Sequence, residues 1–284
     1  MYWSGQDVDA LVTDYRVWDQ WQVWRAVTSI FPHANFFHLA FNLYWLWTFG
    51  TLVDRVYGNW KCLGIYLLLS VTSMLAEFSL LNGGIGLSGL GYGLWGMLMM
   101  LERRDPRFAD AVDRQTNQTF AIWFVLCVVL TVTNIMPVAN IAHGVGAIIG
   151  ILLGLAIVGP GDVKWKSRAG LAAIFCLSLL GATVFWPWIN LSDRAGDEIE
   201  QAGITALAHD NAPRAIQLLT LSAHKRNAPA RVWYNLGVAY ERAGPLTNAR
   251  IAFEHALDMP GADAQMRQAA ESLREDSSGG QTNQ

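Results

Sequence analysis

Ser88, His38 and His143 of this 284-residue chain are set within apolar sequence. Ser88 follows the run Asn82-Gly83-Gly84-Ile85-Gly86-Leu87, whose Asn and Gly content is poor helix material, and opens an apolar stretch that reaches Leu101. A serine in the first turn of a helix lies beside unpaired backbone N–H groups and the positive end of the helix dipole, and both favour a developing oxyanion. Its hydroxyl is a weak nucleophile until a base takes the proton, and His143, as neutral imidazole, can be that base. No Asp lies in the stretch around His143, so the expected pair is a dyad. His38 and Asn42 stand one turn apart on one helix face and would add side-chain donors to an oxyanion hole.

The elements that must hold these residues are membrane helices. The chain is 52% hydrophobic and only 15% charged, and its apolar residues cluster into six stretches at about 36–53, 62–81, 85–101, 119–137, 139–159 and 169–190. Several approach the roughly 20 residues that cross a bilayer core as helix. Basic residues fall in alternate connections: Arg55 and Lys61; Arg103, Arg104, Arg107 and Arg114; Lys164, Lys166 and Arg168. The positive-inside rule places those loops in the cytoplasm and the N-terminal region and C-terminal domain outside. Four Asp against two Arg in residues 1–35 suit a segment that crosses. At ~1.5 Å per helical residue, His38, Ser88 and His143 lie roughly 22, 20 and 24 Å above the inner ends of their segments. Three able side chains therefore converge at one depth. From Ser88 to Leu101 the helix is too short to span, so the glycine-rich backbone before it dips into the membrane, which is tolerated only where protein buries it or water wets it.

Other classes of function fit less well. A net charge of −3 without basic clusters gives no support to nucleic-acid binding. His33 and His38 are five residues apart, no HExxH occurs, and no metal or cofactor is implied. No pair of intramembrane Asp exists for aspartyl chemistry. Gly86-Leu87-Ser88-Gly89-Leu90 lacks the last glycine of the G-x-S-x-G elbow, and no repeated halves suggest a transporter. Cys62, Cys127 and Cys176 are read as packing residues, and Trp45, Trp47, Trp123, Trp186 and Trp188 as interface anchors. The bland alternative for a lone Ser, Asn or His in a membrane helix is interhelical glue, but four such residues on three segments at one depth favour function. Gly89, Gly93 and Gly96, with Gly144, Gly146, Gly150 and Gly154, read as small-residue faces that bring the Ser88 and His143 helices together. Tyr92, one turn after Ser88, reads equally as a residue that packs on the His143 ring or as a plain core aromatic.

In order along the chain, Trp24-Arg25, His33-Ala34-Asn35-Phe36-Phe37-His38-Leu39-Ala40-Phe41-Asn42, Gly86-Leu87-Ser88-Gly89 and Ala142-His143-Gly144-Val145-Gly146 resemble the WR, HxxxxHxxxN, GxSG and AHxxG motifs of the rhomboid intramembrane proteases. The resemblance covers about residues 20–160. It implies Ser88 as nucleophile, His143 as base, and His38 and Asn42 with the Ser88 amide as oxyanion hole, with Gly86, Gly89, Trp24 and Arg25 in support, to which the spacing after Ser88 adds Tyr92. It further implies a substrate that is a transmembrane helix of another protein, cut near the outer membrane face at small residues. Trp24-Arg25 would lie in a membrane-associated loop. The family core has a helix before that loop, which residues 1–24 are too polar to supply, so the expectation is a start lying upstream or a truncated chain, the alternative being a protein that works without that helix. The rival reading is an inactive rhomboid-like scaffold that binds membrane clients.

Beyond the membrane segments, Trp233-Tyr234-Asn235-Leu236-Gly237-Val238-Ala239-Tyr240 with Gly244, Ala249, Phe253 and Ala256 follow the tetratricopeptide (TPR) pattern. Ala202-Gly203, Ala206, Ala215 and Leu219 trace a degenerate copy, and residues 262–275 suit a capping helix. Such repeats offer a groove for a peptide or protein partner, and a short stabilising appendage is the equally weighted alternative. The expected fold is therefore all-α: a polytopic membrane bundle with a soluble TPR-like domain. The expected plan is an outer loop region at 1–35, a catalytic core at 36–160, an added helix at 161–191, repeats at 192–276 and a disordered tail at 277–284. The expected setting is a bacterial inner membrane, with lipid and transmembrane proteins as partners.

Overall fold

The computed structural model describes residues 8–192, 194–225 and 227–279. The chain is all-helical over these residues and divides into two compact units, Met1–Asn190 and Leu191–Gln284.

The first unit contains α1 (Phe36–Tyr57), α2 (Asn59–Leu80), α3 (Ser88–Glu102), α4 (Arg114–Val132), α5 (Asn140–Val158) and α6 (Gly161–Thr183). The Asn35 side chain caps α1 by accepting the His38 N–H at 2.9 Å, and Gly58, at φ 75°, ends α1 and begins α2. Asp113 caps α4 through the Thr116 N–H at 2.7 Å. By length and composition, α2, α4 and α5 are able to cross a membrane. Helices α1 and α6, at 22 and 23 residues, have the length, but polar residues dilute them: His38 and Asn42 in α1, and Lys164, Lys166 and Arg168 in α6. At 15 residues α3 is too short to span, for which roughly 20 are needed.

Several boundaries differ from the apolar stretches of the sequence. The fourth helix starts at Arg114 rather than near 119 because Asp113 caps it, and it stops at Val132, where Asn134 turns left-handed at φ 55° ahead of Pro137. The stretch 169–190 is not one helix: α6 ends at Thr183, and a separate turn, Trp186–Ile189, carries Pro187 in its first positions. Trp186 is not an interface anchor. It is fully buried, stacked between Trp18 and Phe78 with ring centroids at 5.5 and 5.3 Å, and its indole N–H donates to the Phe78 carbonyl at 2.8 Å. Trp45 is half-buried in an aromatic cluster with Phe41, Phe49 and Phe120. Cys62 and Cys127 are buried, but Cys176 is exposed on α6.

The second unit contains α7 (Ala195–Ala208), α8 (Ala212–Ala223), α9 (Ala230–Ala243), α10 (Leu246–Leu257) and α11 (Ala264–Gly279). Gly203 of α7 faces Leu219 of α8, and Gly237 of α9 faces Phe253 of α10, so equivalent contacts recur at one spacing, that of a 34-residue repeat. The buried Glu200 carboxylate accepts from Arg231 and from Asn235, both at 3.0 Å, which satisfies an otherwise expensive charge. Ser277, Ser278 and Gly279 belong to α11 rather than to a disordered tail, and the remainder of that expected tail, 280–284, lies outside the described residues. A Cβ on Gly237 would sit 2.5 Å from the fully buried Phe253 ring. Gly237→Ala should therefore destabilise this unit by ~1–3 kcal/mol. Thermal unfolding of the full chain followed by circular dichroism checks this, and an unchanged transition would mean that the ring yields freely.

Candidate active site

The site begins with the backbone of residues 82–87. Gly83 and Gly86 adopt φ 77° and 93°, conformations open to glycine and strained for other residues, and they turn the chain from the end of α2 into α3. Space also restricts Gly86, since a Cβ there would lie 2.8 Å from His38 Cε1 and 3.1 Å from its Nε2. The Gly86 N–H donates to the Ser29 carbonyl at 3.1 Å, which ties this loop to the N-terminal segment. Ser88 is then the first residue of α3, at a helix start with no side-chain cap. The first N–H groups of a helix have no partner within it and favour an anionic oxygen.

His143 lies in the first turns of α5, buried, and its Nε2 is 2.8 Å from Ser88 Oγ. The two helices that carry this pair meet backbone to backbone. A Cβ on Gly146 would overlap the Gly89 carbonyl oxygen, one on Gly150 that of Gly93, and one on Gly96 would lie 2.5 Å from that of Ala147. Only glycine allows this approach, and the approach brings Oγ within reach of Nε2. The Tyr92 ring stacks on the imidazole with centroids 4.7 Å apart and planes 25° apart, and its hydroxyl donates to the Phe120 carbonyl at 3.2 Å. The ring orientation is held from one face. His143 Nδ1 is buried with no hydrogen-bond partner among the described residues, so no acid completes a triad there.

His38 approaches the same loop from α1. Its Nδ1 accepts the Ala34 N–H at 3.3 Å, which puts the ring proton on Nε2, the ring nitrogen nearer Gly86. Asn42 is buried one turn further along, and its Nδ2 donates to no partner among the described residues. An N–H donor of α1 thus points at the serine loop, and an uncommitted amide donor lies one turn below it.

Trp24 and Arg25 are placed elsewhere. Trp24 is more than half exposed. The buried Arg25 organises the N-terminal loop, donating to the carbonyls of Asp9 and Val12 at 3.0 and 2.8 Å and to Gln22 Oε1 at 2.7 Å, with Asp14 at 3.6 Å. Burial pushes its guanidinium below the ordinary value while Asp14 pulls it back up. Among the described residues Arg25 bonds no reacting group, while the Ser29 carbonyl of the same N-terminal segment receives the Gly86 N–H.

Two residues at the site escaped the reading of the sequence. Glu77 of α2 is 2% exposed, and its Oε2 accepts the Ala142 N–H at 2.9 Å, next to His143. Ser73, one turn earlier on the same helix, packs against Gly89, where a Cβ would lie 3.0 Å from the Ser73 Cβ. The signal for Glu77 was available: an ionisable residue inside an apolar segment marks function by default.

Residues 20–160 match the rhomboid domain, a span that holds all of these groups except the N-terminal partners of Arg25. The chain is 32% identical over 136 residues to the rhomboid protease GlpG of Pectobacterium atrosepticum, covering 47% of this chain and 48% of that relative. It is 31% identical over 134 residues to the rhomboid proteases GlpG of Yersinia pseudotuberculosis and Yersinia pestis, covering 46% of this chain and 47% of each relative. The chain spans about half the length of the curated relatives it matches. No solved structure matches it. The chain is thus all-helical over the described residues, has several apolar helices, and matches the rhomboid domain over residues 20–160.

Proposed function

We propose that the chain is an intramembrane serine endopeptidase that cuts transmembrane segments of other proteins. The observation that carries this reading is the 2.8 Å hydrogen bond between Ser88 Oγ and His143 Nε2, made between two helices in glycine-to-backbone contact. Ser88 Oγ attacks the peptide carbonyl carbon as its proton passes to His143 Nε2. The carbonyl oxygen, now an oxyanion, takes hydrogen bonds from the Ser88 amide, His38 Nε2–H and Asn42 Nδ2–H. The C–N bond breaks as the imidazolium returns the proton to the leaving amine, which leaves an acyl ester on Ser88. A water molecule, deprotonated by His143, attacks the ester and releases the new carboxyl end. On this reading the basic loops face the cytoplasm, the site opens toward the outer side, and substrates are cut where a helix rich in small residues unwinds readily. The C-terminal unit is read as a TPR-like appendage that recruits a peptide or protein partner.

The test is incubation of the full chain in detergent or vesicles with a model transmembrane substrate, alongside a serine-directed covalent inhibitor. Cleavage that the inhibitor blocks supports the reading. A folded protein that neither cleaves nor takes label refutes it and favours the scaffold alternative. Within this scheme Asn42 acts on charge present only in the transition state. Asn42→Ala should accordingly lower kcat about 10²-fold with little change in KM. Steady-state kinetics decide this, and a loss confined to KM would remove Asn42 from the oxyanion hole.

A further inference from the structure

We infer that Glu77 is a positioning residue that caps the helix carrying the base from a neighbouring helix and so holds His143 against Ser88. The inference rests on the catalytic reading of that pair. Helix α5 begins at Asn140 with no side-chain cap from Ala139 before it, although Ala142 in its first turn is buried at 2% exposure. Buried amides without acceptors each weaken the fold by about 1–3 kcal/mol, so something other than the local chain must take them. Glu77 does so, accepting the Ala142 N–H at 2.9 Å from α2. A carboxylate is the group that a helix N-terminus favours most, by hydrogen bond and dipole together.

The placement of Glu77 links both halves of the pair. A Cβ on Gly84, in the loop that feeds Ser88, would lie 3.8 Å from Glu77 Cγ and 2.8 Å from the Ala139 side chain, and Ser73 on the same face of α2 packs against Gly89. One face of α2 therefore touches the approach to the serine and the start of the histidine helix. Because Ala142 precedes His143 directly, a shift of this turn moves the imidazole with it. Glu77 bonds backbone rather than the His143 ring, so it acts through helix position and is not a third member of a triad.

The test uses the full chain and compares Glu77→Ala, which removes the acceptor, with Glu77→Gln, which keeps one carbonyl oxygen. Glu77→Ala should lower kcat at least tenfold, in line with the ~10²-fold loss that ~1 Å of misplacement can bring, while KM moves little. Hydrogen–deuterium exchange in the peptide spanning 139–146 should rise in the same variant. Glu77→Gln should restore both toward wild type. Unchanged exchange in Glu77→Ala overturns the cap, and raised exchange with unaltered kcat overturns the positioning role. A Glu77→Gln variant as impaired as Glu77→Ala also overturns it, since the acceptor alone would not suffice. Exchange is read without activity, so a wild-type chain that fails to cleave refutes the proposed function while the cap is still decided.

Discussion

Ser88→Ala is expected to abolish both substrate cleavage and covalent labelling, with a loss in kcat of at least ~10⁴-fold and no change in fold. The size of the loss follows from how the reaction is divided. Without Oγ there is no atom to form the acyl ester, and His143 is left with a proton-accepting nitrogen that faces nothing reactive. His143→Ala should lose about as much, because an undeprotonated hydroxyl in an apolar site is a poor nucleophile. The double variant should be hardly worse than either single one, since residues that act as one unit are strongly non-additive. Assay of all three proteins on one transmembrane substrate, with circular dichroism to verify folding, decides the matter. Additive losses, or a Ser88→Ala protein that still cleaves, would show that the hydrogen-bonded pair is not the reacting unit.

The second large effect is expected from a single methyl group. Gly150→Ala places a Cβ on the carbonyl oxygen of Gly93, and that oxygen belongs to a helix backbone that cannot rotate aside. Helices α3 and α5 must move apart. Overpacking of this kind weakens a protein by ~1–3 kcal/mol, occasionally more. The functional loss should be larger than the stability loss suggests, because the same displacement lengthens the Ser88–His143 contact, and ~1 Å of misplacement can lower a rate about 10²-fold. Thermal unfolding in detergent and the labelling rate of Ser88 measure the two effects separately. Gly64→Ala is the control: a Cβ there meets nothing within 4 Å, so both readouts should stay at wild-type values. Wild-type labelling in Gly150→Ala would mean that the pair tolerates looser helix packing than its geometry implies.

Much of the site was legible in the residues themselves. Ser88 after a glycine-rich run, His143 in a glycine-rich apolar helix, and His38 with Asn42 at i and i+4 are local signals, because each depends on what one short segment can and cannot do. The close approach of two helices was legible for the same reason, since a row of glycines on an apolar segment has few other uses. What local reading handled badly were the ends of elements and the roles of large side chains. An apolar stretch does not say where capping stops a helix, so 169–190 divides at Thr183. Nor does the presence of a tryptophan say which way it points. Trp186 turns inward because Trp18 and Phe78 stack on both of its faces and a carbonyl of α2 accepts its N–H.

The sequence alone thus determined which side chains are candidates to attack, to take a proton and to donate to an oxyanion, and which helices are thin enough to touch. These are properties of residue types and of spacing along one chain. Only the tertiary structure decided which atoms meet. The Ser88–His143 contact spans 55 residues, and the Glu77–Ala142 contact spans 65. The proton on His38 Nε2 depends on an Ala34 amide bonding the other ring nitrogen, and the cap of α5 comes from α2 because the local residue, Ala139, has no side chain able to provide it. Contacts of that kind arise from packing between distant segments, where a hydrogen bond withheld from solvent must be made somewhere, and the chain's local pattern does not say with whom.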